Sequence, residues 1–166
     1  MAHFMLHNQV ERRWREPVMY KKILVPLDGS KRAEAILPHV EQLALKYQAK
    51  IILLHVIEYR PVVSAEGAFV PLTGQELEQT MERAETYLAG IRGEFQEKHV
   101  ETQTYITQGR IAKEIIKLAA QQAVDLIAMA SHGREGLARV FYGSVAAGVL
   151  QNVDRPLLII RSQSLE

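Results

Sequence analysis

The sequence contains no cysteine among its 166 residues. This absence excludes disulfide bonds, zinc sites built from thiolates and cysteine nucleophiles. No apolar run approaches the roughly 20 residues that a membrane-spanning helix requires. The formal net charge is only +1 and no extended basic block is present, which gives little support to nucleic-acid binding. We therefore expect neither a nucleic acid nor a membrane among the partners of this protein.

The two common phosphate-binding fingerprints are missing as well. The P-loop pattern G-x-x-x-x-G-K-[ST] does not occur, and neither does the dinucleotide pattern G-x-G-x-x-G. The chain is therefore not predicted to be a P-loop NTPase, and a Rossmann dinucleotide site has no support.

The most informative stretch of the chain covers residues 125–161. An apolar run is followed by a loop that contains Gly133, Gly136 and the pair Gly143-Ser144, and then by a helical pattern of small residues. Glycines let backbone N–H groups approach an anion, and a helix N-terminus offers unpaired donors and a favourable dipole. This arrangement is suited to holding phosphate. An ordinary strand-to-helix connection with turn glycines has the same pattern, so both interpretations stay open.

Hydrophobic periodicity predicts an alternation of strands and helices. The order βαβαβαβαβ favours a single α/β domain with a five-stranded parallel sheet, helices on both faces and right-handed crossovers. Strand patterns occupy residues 22–27, 50–56, 100–107, 126–129 and 157–160, and helical patterns begin near residues 31, 73, 110 and 144.

Individual residues carry more specific expectations. Asp28 directly follows the first strand, where its carboxylate either caps the next helix or faces a ligand. Pro38 lies inside the first helical pattern and is predicted to kink it. His55, near the end of the second strand, is expected to be packed and hydrogen-bonded rather than catalytic. The polar alternation of residues 100–107 predicts an edge strand or a half-exposed strand. Residues 57–72 show no period and are interpreted as a long connection, either a lid or a disordered loop.

Residues 1–18 stand apart from these patterns. They follow no core periodicity and end near Pro17. We expect a flexible N-terminal extension at residues 1–18, followed by the folded domain at residues 19–166. A basic arm that contacts a partner is the alternative for this segment.

Two separate stretches of the chain resemble the universal stress protein family of the UspA type. The first is Met19-Tyr20-Lys21-Lys22-Ile23-Leu24-Val25-Pro26-Leu27-Asp28-Gly29-Ser30, and the second runs from Ser131-His132-Gly133-Arg134 to Gly143-Ser144-Val145. Leu54-His55-Val56 and the segment from Pro156 to Arg161 also match. The resemblance covers residues 19–161, which is nearly the whole chain.

The resemblance implies a Rossmann-like fold, similar to that of the adenine nucleotide alpha hydrolases, with the sheet order 3-2-1-4-5. It also implies a small cytoplasmic protein that forms homodimers through its fifth strand, Leu157 to Arg161. One branch of the family binds ATP and carries the pattern Gly, two residues, Gly, nine residues, Gly, then Ser or Thr. Gly133 and Gly143-Ser144 match this pattern, whereas Ala130 replaces its first glycine.

By this resemblance the chain is an ATP-binding stress-response or signalling module with slow hydrolysis or none. The cofactor implied is ATP, with Mg²⁺ as its accompanying ion. His132 is the only candidate base near the phosphate loop and is expected to be an exposed loop residue, so no catalytic or metal-binding side chain is predicted. The alternative is a dimeric interaction module that binds no nucleotide. The residues implied to contact the nucleotide are Pro26, Leu27, Asp28, Val56, Met129, Ala130, His132, Gly133, Arg134, Gly136, Gly143, Ser144 and Val145.

Overall fold

The structure is a computed structural model that describes residues 20–58, 62–63, 69–70, 74–131 and 143–162. The predicted extension, residues 1–18, lies outside the described residues, so the division of the chain at residue 19 stays a prediction. The described strands are β1 (Lys22–Pro26), β2 (Lys50–Ile57), β3 (Val62–Val63), β4 (Phe69–Val70), β5 (Thr102–Gln108), β6 (Leu126–Ser131) and β7 (Leu157–Arg161). The described helices are α1 (Lys31–Glu34), α2 (Leu37–Tyr47), α3 (Gly74–Glu97), α4 (Ile111–Gln121) and α5 (Ser144–Asn152).

Five of the strands form one sheet in the order β5-β2-β1-β6-β7. Every neighbouring pair in this sheet is parallel. Counted along the chain, this is the order 3-2-1-4-5 that the family resemblance implies, so the predicted fold is confirmed. The polar strand β5 lies at one edge, as its alternation predicts, and β7 lies at the other.

The centre of the sheet is buried because its strands are apolar on both faces. In β1, Ile23, Leu24 and Val25 are fully buried, and successive side chains point to opposite faces. Ile23 and Val25 pack in a core with residues of α2 and α3. Leu24 packs in a second core with residues of α4 and α5. The prediction of helices on both faces is therefore confirmed.

The first predicted helix is divided by its proline. The structure has two helices, α1 and α2, where a single kinked helix over residues 31–47 is predicted. Pro38 is the second residue of α2. It has no N–H to donate to the preceding turn, and its ring would collide with the carbonyl of Glu34 in a continuous helix. The proline therefore causes a break rather than a bend.

The connection between β2 and α3 contains a short ribbon that the sequence analysis does not predict. Val62–Val63 and Phe69–Val70 pair as two antiparallel strands. Strands of two residues are too short to produce a detectable alternation. The interpretation of residues 57–72 as an unpatterned loop is therefore wrong for these four residues, and their neighbours 59–61, 64–68 and 71–73 lie outside the described residues.

The longest described helix is α3. Its buried residues, Ala84, Leu88, Ile91 and Phe95, recur at the spacing of one helix face and join the core shared with α2. Among the helices of the described ranges, none combines the length and the hydropathy needed to cross a membrane.

Helices α4 and α5 approach each other closely at one point. A Cβ atom added to Gly148 would stand 2.9 Å from the Cβ of Ala112. This is well inside the optimal separation of roughly 3.5–4.0 Å between carbon atoms. Glycine at this position therefore permits the two helices to pack together.

We expect Gly148→Val to lower the free energy of unfolding by about 1–3 kcal/mol, because the added carbons force α4 and α5 apart. Gly90→Val in α3 is the matched control, since a Cβ atom there meets nothing within 4 Å. Its expected effect is within about 0.5 kcal/mol. Urea unfolding followed by circular dichroism measures both changes, and equal effects at the two positions would contradict the role of Gly148 in this contact.

Candidate functional site

A crevice opens where strands β1 and β6 separate. The two strands pair only through Ile23 with Leu126 and Leu24 with Ile127. Beyond these pairs, β1 continues to Pro26 and β6 continues to Ser131. The chain leaves β1 toward one face of the sheet and leaves β6 toward the other. Open α/β sheets hold ligands at such a reversal of winding, outside the carboxyl ends of the strands.

The crevice is mostly apolar. Asp28 is the only charged side chain among the described residues that line it. These residues are Pro26, Leu27, Asp28, Ala33, Leu54, Val56, Ile111, Ile115, Met129, Ala130 and Val145.

The structure brings many of the predicted site residues together at this crevice. Gly143 and Ser144 begin α5 directly before Val145. The remaining predicted site residues, His132, Gly133, Arg134 and Gly136, lie outside the described residues. The predicted residues in the lining are Pro26, Leu27, Asp28, Val56, Met129, Ala130 and Val145.

The start of α5 offers hydrogen-bond donors at the mouth of the crevice. Its N-cap residue is Gly143, which has no side chain to accept from the N–H groups of the first turn. These groups and the positive end of the helix dipole favour an anion at this position. The backbone of Gly143 has φ −55° and ψ 158°, a conformation open to residues other than glycine.

The structure decides one of the two roles that the sequence leaves open for Asp28, the capping of the next helix. Ser30, rather than Asp28, is the N-cap of α1, and its Oγ accepts a hydrogen bond from the backbone N–H of Ala33 at 3.1 Å. Asp28 Oδ1 accepts a hydrogen bond from the backbone N–H of Ser30 at 2.9 Å. The exposed Asp28 therefore holds the backbone of the capping residue through this hydrogen bond and borders the crevice, and it does not cap the helix itself.

Val56 presents backbone groups to the crevice because β2 extends beyond the end of β1. The backbone N–H of Lys50 donates to the C=O of Lys21, and the C=O of Leu54 accepts from the N–H of Leu27. The backbone groups of the even-numbered residues of β2 therefore face β1. Pro26, the last residue of β1, is level with Leu54. Val56 lies two residues farther along and lines the crevice. Its N–H and C=O are directed into the space beyond the end of β1.

Comparison with known proteins assigns the chain to a family. A model of the universal stress protein family matches residues 19–161. The chain belongs to the universal stress protein family. Universal stress protein MJ0577 of Methanocaldococcus jannaschii is 32% identical over 160 residues, which cover 89% of this chain and 98% of the relative. A solved structure of MJ0577 superposes with a TM-score of 0.72 and 34% identity, and covers 89% of this chain and 99% of that chain.

Two more distant universal stress protein structures share the fold and were solved with nucleotides. One is a complex with cAMP, at 17% identity and a TM-score of 0.64, which covers 87% of this chain and 99% of that chain. The other, from Archaeoglobus fulgidus, is a complex with dAMP, at 15% identity and a TM-score of 0.58, which covers 86% of this chain and 99% of that chain.

Ala130, which replaces the first glycine of the family motif, fits its position without backbone strain. It lies in β6 level with Ile160 of β7, and it is not among the described residues with positive φ. Its methyl group packs against the core on the α2 and α3 side of the sheet. Gly143, by contrast, begins α5 on the opposite side. The alanine is therefore compatible with the architecture of this universal stress protein site.

Sequence reasoning missed four residues of the crevice, Ala33, Leu54, Ile111 and Ile115. Ile111 and Ile115 are one turn apart at the start of α4, and the first turn of a helix that follows a parallel strand lies at the carboxyl edge of the sheet. Their spacing after β5 is the signal that identifies them. Ala33 and Leu54 have no comparable signal, because nothing in their sequence separates a crevice wall from ordinary core.

A polar cluster lies on the α2 and α3 side of the sheet. The rings of His55 in β2 and Tyr87 in α3 meet edge to face, with centroids 6.3 Å apart. Burial lowers the pKa of His55, an effect that a hydrogen bond with the backbone of Leu27 and the charge of Asp28 oppose. Burial also raises the pKa of Tyr87, and the carboxylate of Glu34 adds to the rise. His55 is packed as expected, although its Nδ1 has no hydrogen-bond partner within the described part of the chain.

None of the described residues forms a resident metal site. No group of three or more His, Cys, Asp or Glu side chains in the described ranges is arranged to hold a metal ion.

The lowered pKa of His55 predicts a pH dependence of stability. The unfolded chain takes up a proton below about pH 6.5, whereas folded His55 resists it. The contribution of neutral His55 to the free energy of unfolding is therefore fully present above this pH and is lost as the pH falls. We expect the free energy of unfolding to fall less steeply between about pH 7 and pH 5 in His55→Gln than in the wild type.

His39→Gln is the control for this experiment, because His39 is exposed on α2. It should retain the wild-type slope in urea titrations at each pH. A wild-type slope in His55→Gln would show that His55 does not contribute to the acid sensitivity.

Proposed function

We propose that this universal stress protein binds ATP in the crevice between β1 and β6 and acts as a nucleotide-dependent stress-response or signalling module. The observation that carries the proposal is that the pairing of β1 with β6 stops before either strand ends, beside the start of α5, whose N-cap is a glycine. The resulting crevice combines an apolar slot for a base with backbone donors for phosphate. The cAMP and dAMP complexes of distant proteins with this fold support the choice of an adenine nucleotide.

The described residues fit the separate parts of the nucleotide. Val56 offers a backbone donor and acceptor to the edge of adenine, and Met129 lines the pocket for the base. Asp28 accepts a hydrogen bond from adenine or ribose. The first turn of α5, with Gly143 and Ser144, holds phosphate. By family resemblance, His132, Gly133, Arg134 and Gly136 complete the phosphate loop.

Binding without rapid turnover is the activity that these residues favour. Asp28 is the only titratable side chain among the described residues that line the crevice, and we place it at the nucleoside rather than at the phosphates. Mg²⁺, where it takes part, arrives with the phosphates of ATP. Family membership also leads us to propose a cytoplasmic location.

Thermal unfolding tests the proposed ATP site. Ligand at about a hundredfold excess over its Kd stabilises the folded state by about 2.7 kcal/mol. Each kcal/mol raises the melting temperature of a domain near this size by roughly 2–4 °C. We therefore expect saturating ATP to raise the melting temperature of the wild type by about 5–10 °C.

Gly143→Val should abolish this rise, because its side chain occupies space that the phosphate needs. The unliganded variant should melt near the wild type, since φ −55° and ψ 158° suit a β-branched residue. Absence of any ATP-dependent shift in nucleotide-free wild type with magnesium present would overturn the proposal and favour the interaction module that binds no nucleotide.

The exposed edge of the sheet supports the second part of the proposal, a homodimer through β7. Leu157, Leu158, Ile159 and Ile160 are apolar, and all are only partly buried in the single chain. An apolar edge strand with open backbone groups invites pairing with another strand. A two-fold axis would pair one β7 with the β7 of a second copy and cover both edges. This surface serves equally in the interaction module that binds no nucleotide.

We expect Ile159→Asp to give a monomer or insoluble protein, because it places a charge in the apolar contact. Light scattering after size exclusion measures the mass. Gln103→Asp places the same charge on an exposed residue of β5, at the opposite edge of the sheet, and should keep the wild-type dimer mass. A dimer mass for Ile159→Asp would exclude β7 as the interface.

A further inference from the structure

Arg110 occupies a position where local stability favours a different residue. It is the N-cap of α4, yet its side chain makes no capping hydrogen bond. Ser, Thr, Asp and Asn are preferred at this position because their oxygens accept from the first-turn N–H groups. A cation at a helix N-terminus is also repelled by the helix dipole. Residues that break local rules in this way are expected at functional sites.

Among the described residues, Arg110 forms no ion pair with a carboxylate, although Glu58 and Glu114 line the same surface depression. In the part of the chain that the structure describes, no ion pair within 4.0 Å joins Arg110 or its neighbour Lys113 to an acidic residue. Glu114, the acidic residue in the first turn of α4, is instead paired with Lys117 at 3.2 Å. The guanidinium therefore remains available to an external anion.

Arg110 lies next to a residue of the crevice wall, although it is not itself among the described residues that line the crevice. The next residue, Ile111, lines the crevice, and Arg110 itself lines the groove between α4 and α5. The two helices run in the same direction, and Ala112 is held against Gly148. Arg110 precedes Ala112 by two residues, which places it about 3 Å from this contact along the axis of α4, toward the carboxyl edge of the sheet. Ser144 precedes Gly148 by four residues, which places it about 6 Å from the contact along the axis of α5, in the same direction. Arg110 is thus nearly level with the first turn of α5.

We propose that Arg110 binds the phosphates of the nucleotide in the crevice and makes the site prefer ATP to less phosphorylated ligands. The proposal rests on the proposed nucleotide site and adds a residue from α4 that the family motif does not contain. The planar guanidinium presents several N–H donors and forms paired hydrogen bonds with phosphate oxygens. It would approach the phosphates from the start of α4, while the first-turn N–H groups of α5 approach them from the start of α5, so that donors from two helix termini face the same anion.

The replacement Arg110→Asn separates this role from an ordinary solvated one. Asparagine is a preferred N-cap, so the unliganded variant should melt at the wild-type temperature or slightly above it. Its affinity for ATP should fall about tenfold or more, since a hydrogen bond to a charged group is lost. Its affinity for adenosine should be unchanged. Calorimetric titration with adenosine, AMP, ADP and ATP measures the series.

Lys46→Gln is the control for the change in net charge. Lys46 is exposed in the last turn of α2, at the end of the sheet opposite to the crevice, and its removal should change the ATP affinity less than about threefold. Equal ATP affinities for the wild type and Arg110→Asn would overturn the role of Arg110 while leaving the nucleotide site intact. An equal loss of adenosine and ATP affinity would overturn it in favour of a structural role. A wild type that binds neither ligand would overturn the nucleotide site and the role of Arg110 together.

Discussion

The separation of β1 from β6 is the constraint on which the candidate site depends. The helices after β1 pack on one face of the sheet, and α5, the next described helix after β6, packs on the other. Pairing accordingly stops at Leu24 and Ile127, while both strands continue. The buried centre of β1, apolar on both faces, holds the strands together below this point. The crevice is therefore a consequence of topology rather than of any single side chain.

Backbone direction then determines what the crevice can bind. The alternation of β2 directs the peptide groups of Val56 past the end of β1, and the N-cap residue of α5 is a glycine, which has no side chain to accept from the first N–H groups. Apolar walls from β1, β2, α4 and β6 separate these two polar positions. In such surroundings each hydrogen bond is less screened by water than on the open surface. Asp28 adds a charge at one end, in a turn that also orients the cap of α1.

Local stability is lower than it could be at several positions around this site. Gly148 weakens α5 as a helix but allows its contact with Ala112. Arg110 stands where a capping residue would be more stable, and β7 leaves an apolar strand at the edge of the sheet. Gly148 lies at a contact between two helices. Arg110 and β7 lie at exposed surfaces where, under the proposals above, a ligand or a second copy would bind. Such departures are more informative about function than the regular core, which any stable sheet of this kind requires.

The sequence alone was sufficient for the elements of the main sheet, because continuous apolar runs and helical stripes reflect burial directly. Together with the family resemblance it also indicated the sheet order and seven residues that line the crevice: Pro26, Leu27, Asp28, Val56, Met129, Ala130 and Val145. Only the tertiary structure assigned the cap of α1 to Ser30, divided the first helix at Pro38, revealed the ribbon of β3 and β4, and added Ala33, Leu54, Ile111 and Ile115 to the crevice. Periodicity reports which face of an element is buried. Which buried residues border an open crevice depends on where neighbouring strands stop pairing, and that is decided by contacts between segments far apart in the chain.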